Sequence, residues 1–239
     1  MKRASVVLLL TYCCSALAVN DYVSTQSELT HSLLERYDRH IKPDHKVNVS
    51  VNLYLRYIKE VDSVSGSMEY QLTFRQKWSD SRLSFNENPD AVNVNFLTLI
   101  SGEEKQIWVP DTFFRNELEA KIHNTMVPNE YIRVYPNGDV LQSVRLTLKT
   151  TCGFNSPKTE FICPVQIASY GWTAEDVVYT WTDKPIMVAK ELRINNFNLD
   201  NYISDYCNVK TSTGEYSCLN AEFRFTPVGL INQLYALLK

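Results

Sequence analysis

The chain has 239 residues, with 27 Asp and Glu against 24 Lys and Arg, and a formal net charge of −3 at pH 7. This weakly acidic balance argues against nucleic acid as a partner, because binding to phosphates needs a basic surface. The length permits one large domain or two small ones, and no Gly/Ser linker, repeat or low-complexity stretch divides the chain.

The first 18 residues have the pattern of a secretory signal peptide. A basic start is followed by an apolar run at residues 6–10 and by small residues at the end of the segment. The apolar run is too short to span a bilayer. We therefore expect cleavage after Ala18, with loss of Cys13 and Cys14, and a secreted, extracellular protein.

One amphipathic helix is predicted ahead of the strands, because apolar residues recur at helical spacing between residues 25 and 38. From residue 46 to residue 60 the spacing changes to the strict alternation of a strand. The apolar, core-facing positions of this strand are Val47, Val49, Val51, Leu53, Leu55 and Tyr57.

Polar side chains occupy the opposite face of the same strand, among them Asn48 and Arg56. Asn48 begins an Asn-x-Ser glycosylation acceptor, and its outward position predicts modification there. Two later strands alternate in the same way and turn Arg75 and Thr147 outward.

Turn signals separate the strands. The strongest is the segment 135–139, where Asn-Gly tolerates the positive φ angles of a tight hairpin turn. No long helical pattern interrupts the strands that follow, as far as Phe225. We therefore predict a mainly β fold, an antiparallel, immunoglobulin-like β-sandwich of about ten strands with an N-terminal α-helix.

Four cysteines remain after the leader, an even number that suits disulfides in an oxidising compartment. Zinc is disfavoured, because Cys-x-x-Cys is absent and the histidines are scattered, and we expect neither a metal nor a cofactor. Cys207 and Cys218 bracket a polar tip, so a disulfide there would make a projecting hairpin, the flap (residues 207–218). This spacing alone fits a stapled structural hairpin as well as a binding flap.

The sequence has no recognisable catalytic motif. It lacks His-Glu-x-x-His, Gly-x-Ser-x-Gly, a glycine-rich phosphate loop and a free mature cysteine. We therefore expect a binding protein and not an enzyme. A carbohydrate-binding β-sandwich is an alternative, because aromatic residues and arginines also line sugar sites.

Four motifs follow one another: Trp108-Val109-Pro110-Asp111, the loop from Cys152 to Cys163, Ala168-Ser169-Tyr170-Gly171-Trp172-Thr173, and the flap. In this order they resemble the extracellular ligand-binding domain of Cys-loop, pentameric ligand-gated ion channels, most closely glutamate-gated chloride channels and glycine receptors. The resemblance covers residues 19–226.

Two features of the chain differ from a complete receptor subunit. Residues 227–239 resemble a truncated start of the first membrane helix, far short of the roughly 20 residues that a spanning helix requires. The loop between Cys152 and Cys163 has ten residues and lacks the aromatic-Pro-x-Asp core that rests on the membrane domain in receptors. We therefore expect a soluble binding protein, with no membrane span in this chain.

The resemblance implies a homo-oligomer, a ring of five subunits, with a ligand site under the flap between neighbouring subunits. It also implies two local disulfides, Cys152–Cys163 and Cys207–Cys218. Carried over by motif, the principal face of each site holds Phe114, Ser169, Tyr170, Thr213 and Tyr216. The complementary face, from the neighbouring subunit, holds Arg56, Arg75 and Thr147.

These residues suit a small amino acid, with glutamate as the expected ligand. The two arginines suit a carboxylate through charge-assisted hydrogen bonds, and the three aromatic rings suit an ammonium. Thr147 stands where glutamate-gated channels commonly have serine, and it keeps the hydroxyl. The adjacent cysteines of an acetylcholine-type flap are absent.

Other readings stay open. The chain fits a truncated extracellular domain or a subunit of a ligand-gated chloride channel that binds glycine, GABA or another ligand. It also fits a subunit that only assembles with others and binds no ligand.

The signal-peptide pattern predicts that the secreted protein begins at Val19. N-terminal sequencing of protein collected from the medium of expressing cells tests this. A secreted product that keeps its first 18 residues would contradict the prediction.

Overall fold

The computed structural model describes residues 26–91, 94–99, 106–155, 160–192, 194 and 197–228. The predicted leader lies outside the described residues, as does all but the start of the predicted tail.

A helix over residues 26–34, α1, precedes the strands and confirms the predicted N-terminal helix. Leu29 is buried, while Leu33, Leu34 and Tyr37 pack partly buried against the same core. The apolar stripe that predicted the helix is therefore the stripe that docks it on the sandwich.

Fourteen strands occur in the described part of the chain. They are β1 Val47–Asp62, β2 Ser67–Ser79, β3 Leu97–Leu99, β4 Thr112–Phe114, β5 Glu117–Ile122, β6 Glu130–Val134, β7 Asp139–Thr151, β8 Gly153–Phe154, β9 Phe161–Ser169, β10 Val177–Val188, β11 Phe197–Tyr206, β12 Val209–Thr211, β13 Gly214–Tyr216 and β14 Cys218–Pro227. The number of strands exceeds the predicted ten or so because several strands have only two or three residues. An alternating pattern cannot be recognised in so short a segment.

The strands form two main sheets, which confirms the predicted mainly β sandwich. The first sheet has the order β10-β1-β2-β7-β6-β3, with β5 also paired to β7, and the second has the order β11-β14-β9-β4, with β8 paired to β9. The small β12–β13 ladder forms the flap. One pairing departs from the antiparallel prediction, because β1 and β10 run parallel.

The core lies between the two sheets and is built by the alternate, inward positions of their strands. Tyr70 of the first sheet faces Phe223 of the second, with ring centroids 6.4 Å apart, and Phe74 meets Phe114 edge to face at 5.4 Å. Burying a side chain of this size contributes about 1.5–3 kcal/mol to folding. These contacts hold the sheets at a fixed spacing.

A bulge in β1 changes the predicted alternation. The β1–β2 register shifts between Leu55 and Tyr57, so Ile58 takes the next buried position and Tyr57 is 48% exposed. The prediction that Tyr57 faces the core is therefore wrong. Arg56 stands at the bulge and is exposed as predicted.

The predicted turn at residues 135–139 connects β6 and β7. Gly138 has φ +84°, and a Cβ at this position would lie 2.6 Å from the carbonyl oxygen of Asp80. The Asp80 backbone N–H donates to the Gly138 carbonyl at 2.9 Å. Glycine is required here by both the positive φ and the close approach of the backbone after β2.

A buried carboxylate joins α1 to this end of the sandwich. Asp80 is 0% exposed, and its carboxylate accepts hydrogen bonds from the Tyr37 hydroxyl at 2.5 Å and from Nε and Nη2 of Arg82 at 2.9 and 2.8 Å. The Tyr37 hydroxyl also accepts the backbone N–H of Trp108 at 3.2 Å. Burial, followed by the hydrogen bond to Asp80, raises the pKa of Tyr37 above its ordinary value. The hydroxyl therefore stays a donor to Asp80 throughout the neutral range.

We expect Tyr37→Phe to lower the free energy of unfolding by about 1–3 kcal/mol, because it removes a donor from a buried carboxylate and an acceptor from a backbone N–H. Urea unfolding at neutral pH measures the change. Tyr202→Phe, at a tyrosine of β11 that is 43% exposed, is the matched control and should leave stability unchanged. Equal stability of the two variants would contradict the structural role of the Tyr37 hydroxyl.

Candidate functional site

A cavity of about 300 Å³, called here the flap cavity, opens between the flap and the adjoining ends of β4 and β9. It is lined by Phe113, Arg115, Ala168, Ser169, Tyr170, Val209, Thr211, Ser212, Thr213 and Tyr216. Four of the five residues predicted for the principal face, Ser169, Tyr170, Thr213 and Tyr216, are therefore brought together here.

The flap is a disulfide-closed hairpin. Cys207 and Cys218 are bonded, with their Cα atoms 4.7 Å apart, and β12 pairs with β13 from Val209↔Tyr216 to Thr211↔Gly214. Gly214 has φ +144°, and a Cβ there would lie 2.9 Å from the Thr173 side chain. The second predicted disulfide, Cys152–Cys163, is also present. Both predicted pairings are confirmed.

The end of β9 forms one edge of the cavity, and hydrogen bonds to Asp111 hold this edge in place. Its carboxylate accepts the Ser169 hydroxyl at 2.5 Å and the Gly171 backbone N–H at 2.7 Å. The Ser169 hydroxyl in turn accepts the Trp172 backbone N–H at 2.9 Å. Because its proton is committed to Asp111, the Ser169 hydroxyl meets a ligand only as an acceptor.

Aromatic rings form the walls of the cavity. Tyr170 is 78% exposed and meets Phe113 edge to face, with ring centroids 5.5 Å apart. On the flap, the hydroxyls of Tyr216 and Thr213 lie 3.0 Å apart. The exposed ring faces can receive an ammonium group.

The predicted ligand contact Phe114 does not lie in this cavity. It is 8% exposed and packs against Phe74 in the core, while Phe113 lines the cavity. Consecutive residues of a strand point to opposite faces, so one of the two phenylalanines must be buried. The motif located the pair but gave no sign of which member faces outward.

Arg115 is a cavity residue that the sequence analysis did not identify. It is exposed, and its Nη1 lies 3.4 Å from Sγ of Cys218. This guanidinium adds a positive charge to a cavity whose other side chains are uncharged. Its position two residues after Phe113, just past the end of β4, was the available signal.

The predicted complementary residues lie on the outer face of the first sheet, away from the flap cavity. Arg75 on β2 donates from Nη1 to Oδ1 of Asn52 at 2.9 Å. Arg56, at the β1 bulge, has its Nη1 3.5 Å from the Thr73 hydroxyl, and its guanidinium lies 5.8 Å from the Tyr54 ring centroid. Both guanidinium groups keep further N–H donors free of these contacts.

Thr147 lies on the predicted face but not beside Arg75. The β2–β7 register places Ser143 opposite Arg75 and Thr147 opposite Gln71. Thr147 is therefore four residues, or about 13 Å, further along β7 than Ser143. Its hydroxyl is instead 2.8 Å from Nε2 of His123. Alternation gave the correct face, while only the register identifies Ser143 as the neighbour of Arg75.

Arg145 is a third arginine on this face that sequence reasoning did not single out. It is paired with Thr73 across β2 and β7, and its Nη2 donates to Oε1 of Gln71 at 3.1 Å. Burial lowers the pKa of His123, and the positive charges of Arg145, Lys121 and Arg56 lower it further. The face therefore favours anions and disfavours an additional cation.

The arginines of this face have no acidic partner within the described part of the chain. The ion pairs formed there involve other residues, and none includes Arg56, Arg75 or Arg145. Guanidinium groups without carboxylates, exposed at Arg56 and partly buried at Arg75 and Arg145, make a local positive surface.

Asn48, the predicted glycosylation acceptor, is exposed on β1. Among the described residues, no helix has the length and apolar character needed to cross a bilayer.

Residues 26–226 match the family model of the neurotransmitter-gated ion-channel ligand-binding domain. Over 200 residues the chain is 40% identical to a glutamate-gated chloride channel of Drosophila melanogaster. The alignment covers 80% of this chain and 43% of that protein, so the chain spans less than half the length of this relative. The chain therefore belongs to the family of ligand-binding domains of Cys-loop, neurotransmitter-gated ion channels.

Proposed function

We propose that the protein binds glutamate or a closely similar amino acid between neighbouring copies of itself, as a secreted homopentamer and without catalytic activity. The observation that carries the proposal is the set of arginines on the outer face of the first sheet, which have no carboxylate partner among the described residues. An anionic ligand supplies the missing partner.

Arg75 is the better placed of the two predicted carboxylate ligands. Asn52, which is itself buried, holds one guanidinium nitrogen and so orients the planar group. A carboxylate that approaches the remaining N–H groups forms charge-assisted hydrogen bonds without a large loss of side-chain freedom. Ser143 lies directly across from Arg75 but is buried, so Arg75 itself makes the contact with the carboxylate.

The two halves of the proposed site belong to different sheets. Neither Arg56 nor Arg75 lines the flap cavity, whose walls come from β4, β9 and the flap. A head-to-tail contact between two copies joins one copy's cavity to its neighbour's arginines, and repetition of this contact closes a ring. The number five follows from the family and not from any residue of this chain.

The choice of a dicarboxylic amino acid rests on charge. The aromatic rings of Phe113, Tyr170 and Tyr216 suit one ammonium group, whereas the cations Arg56, Arg75 and Arg115 outnumber the single carboxylate of glycine or GABA. The name of the matched Drosophila relative, a glutamate-gated chloride channel, supports the same choice.

A second candidate is the extracellular part of a chloride-channel subunit. The partial coverage of the longer Drosophila channel favours it, because this chain corresponds to less than half of that protein. The proposed amino-acid site is the same in both cases, and only the presence of a membrane domain differs.

We expect Arg75→Ala to weaken glutamate binding by about ten- to a hundredfold, because a hydrogen bond to a charged group contributes about 1.5–3 kcal/mol. Isothermal titration calorimetry of the purified protein measures the change. Lys77→Ala is the matched control, since Lys77 is on the same strand and pairs with Asp139. Unchanged affinity in Arg75→Ala, or equally tight binding of an amine without a carboxylate, would refute the carboxylate clamp.

We expect light scattering to give the mass of five chains at micromolar concentration. Both faces of the site are needed, so dissociation into monomers should abolish glutamate binding as well. A stable monomer that still binds glutamate would contradict the inter-subunit site.

A further inference from the structure

A row of polar side chains crosses the interior of the sandwich behind the flap cavity. Its members are Glu130 on β6, Gln142 on β7, Gln76 on β2, Thr112 on β4 and Tyr179 on β10. Gln76 is 5% exposed and Gln142 is 8% exposed, and Tyr179 is fully buried. Each strand has apolar residues at the neighbouring inward positions. Polar groups at such positions are costly unless each is hydrogen-bonded.

The hydrogen bonds of this row are continuous. Nε2 of Gln142 donates to Oε1 of Glu130 at 2.7 Å, and Nε2 of Gln76 donates to Oε1 of Gln142 at 2.7 Å. The Thr112 hydroxyl lies 2.5 Å from Oε1 of Gln76 and 2.7 Å from the Tyr179 hydroxyl. Every link is short enough to be a full hydrogen bond.

The chain of hydrogen bonds has one direction. An amide oxygen can only accept, so Thr112 donates its single proton to Gln76 and must accept from Tyr179. All donors therefore point toward Glu130, the one carboxylate in the row. Hydrogen bonds aligned in this way polarise one another, so the loss of one link weakens the others.

The other end of the row touches both edges of the flap cavity. Thr112 follows Asp111 and pairs with Ser169 in the β4–β9 ladder. The Tyr179 backbone N–H donates to the hydroxyl of Ser217 at 2.9 Å, and Ser217 lies between Tyr216 and Cys218 at the root of the flap. Thr112 and Tyr179 thus connect the Ser169–Tyr170 edge with the flap root through a single hydrogen bond.

We propose that Gln76 and Gln142 are positioning residues for the ligand site. They act through Thr112 and Tyr179 to hold the Ser169–Tyr170 edge and the flap root at a fixed separation, and so set the ligand affinity from the far side of the sandwich. The expected change in ligand affinity rests on the proposed function. The expected change at the flap root does not depend on a ligand.

The test compares the variant Gln76→Leu/Gln142→Leu with the wild type. Replacing both amides with apolar side chains of similar size removes the amide–amide bond without leaving either amide unpaired. Glu130 and Thr112 each lose a partner, but both are only partly buried and can turn to water, so we expect a small change in stability. We expect the dissociation constant for glutamate, measured by calorimetry, to rise about three- to tenfold. We also expect faster hydrogen exchange, measured by mass spectrometry without ligand, in the peptide that contains residues 207–218.

Single substitutions at Thr112 give an independent version of the test. Thr112→Val removes the hydroxyl at constant volume and should reproduce both effects, whereas Thr112→Ser keeps the hydroxyl and should behave like the wild type. The matched control is Thr150→Val, which removes another buried Thr–Tyr contact of the same core, the one with Tyr70 at 3.4 Å. This control should change neither glutamate affinity nor exchange at the flap root.

The outcomes separate the two proposals. Wild-type protein that binds no amino acid defeats the proposed function, and the exchange measurement then decides the positioning role by itself. Normal exchange in Gln76→Leu/Gln142→Leu and in Thr112→Val overturns the positioning role. So does an equal effect of Thr150→Val, because a general softening of the core would then explain the result.

Discussion

The unbroken pairing of β2 with β7 determines where the functional side chains of the first sheet lie. Thirteen consecutive residues of each strand are paired, from Ser67↔Thr151 to Ser79↔Asp139, without a bulge. A one-residue slip would exchange the inner and outer faces of one strand, which would bury arginines and expose the core. Two features exclude that slip: the apolar inner face of both strands, and the backbone hydrogen bond that joins Asp80, just after β2, to Gly138, just before β7.

This register places adjacent residues on opposite faces of the sheet. Arg75 and Gln76 are neighbours in sequence, yet one lies on the outer face across from Ser143 and the other lies inside across from Gln142. Outside, Arg75 presents its guanidinium to the surroundings, above a Ser143 that is buried. Inside, two amides meet and continue the polar row toward Thr112. The positive outer surface and the buried polar row therefore depend on the same ladder of backbone hydrogen bonds.

The fold class followed from the sequence because alternation and turn residues act locally. The side of the sheet on which Arg56, Arg75 and Thr147 lie followed for the same reason. Alternation gives only the face of a residue and not its neighbour on the next strand, so the sequence did not show that Ser143 lies across from Arg75 and Thr147 across from Gln71. A bulge breaks alternation without a mark in the sequence, as at Tyr57. A double aromatic such as Phe113-Phe114 is apolar on both faces, so its buried member is identified only by the packing of Phe114 on Phe74.

The parallel pairing of β1 with β10 has a consequence for the order of folding. The hairpins β1–β2 and β6–β7 close over short turns, whereas β1 and β10 join segments more than a hundred residues apart, such as Val47 and Val177. Long-range pairing costs more loop entropy and therefore forms late. Tyr179, which holds the flap root through Ser217, belongs to β10. We therefore expect the flap to reach its final position only after the sandwich behind it has assembled, so that an incompletely folded chain exposes its arginines before it has a cavity to close over a ligand.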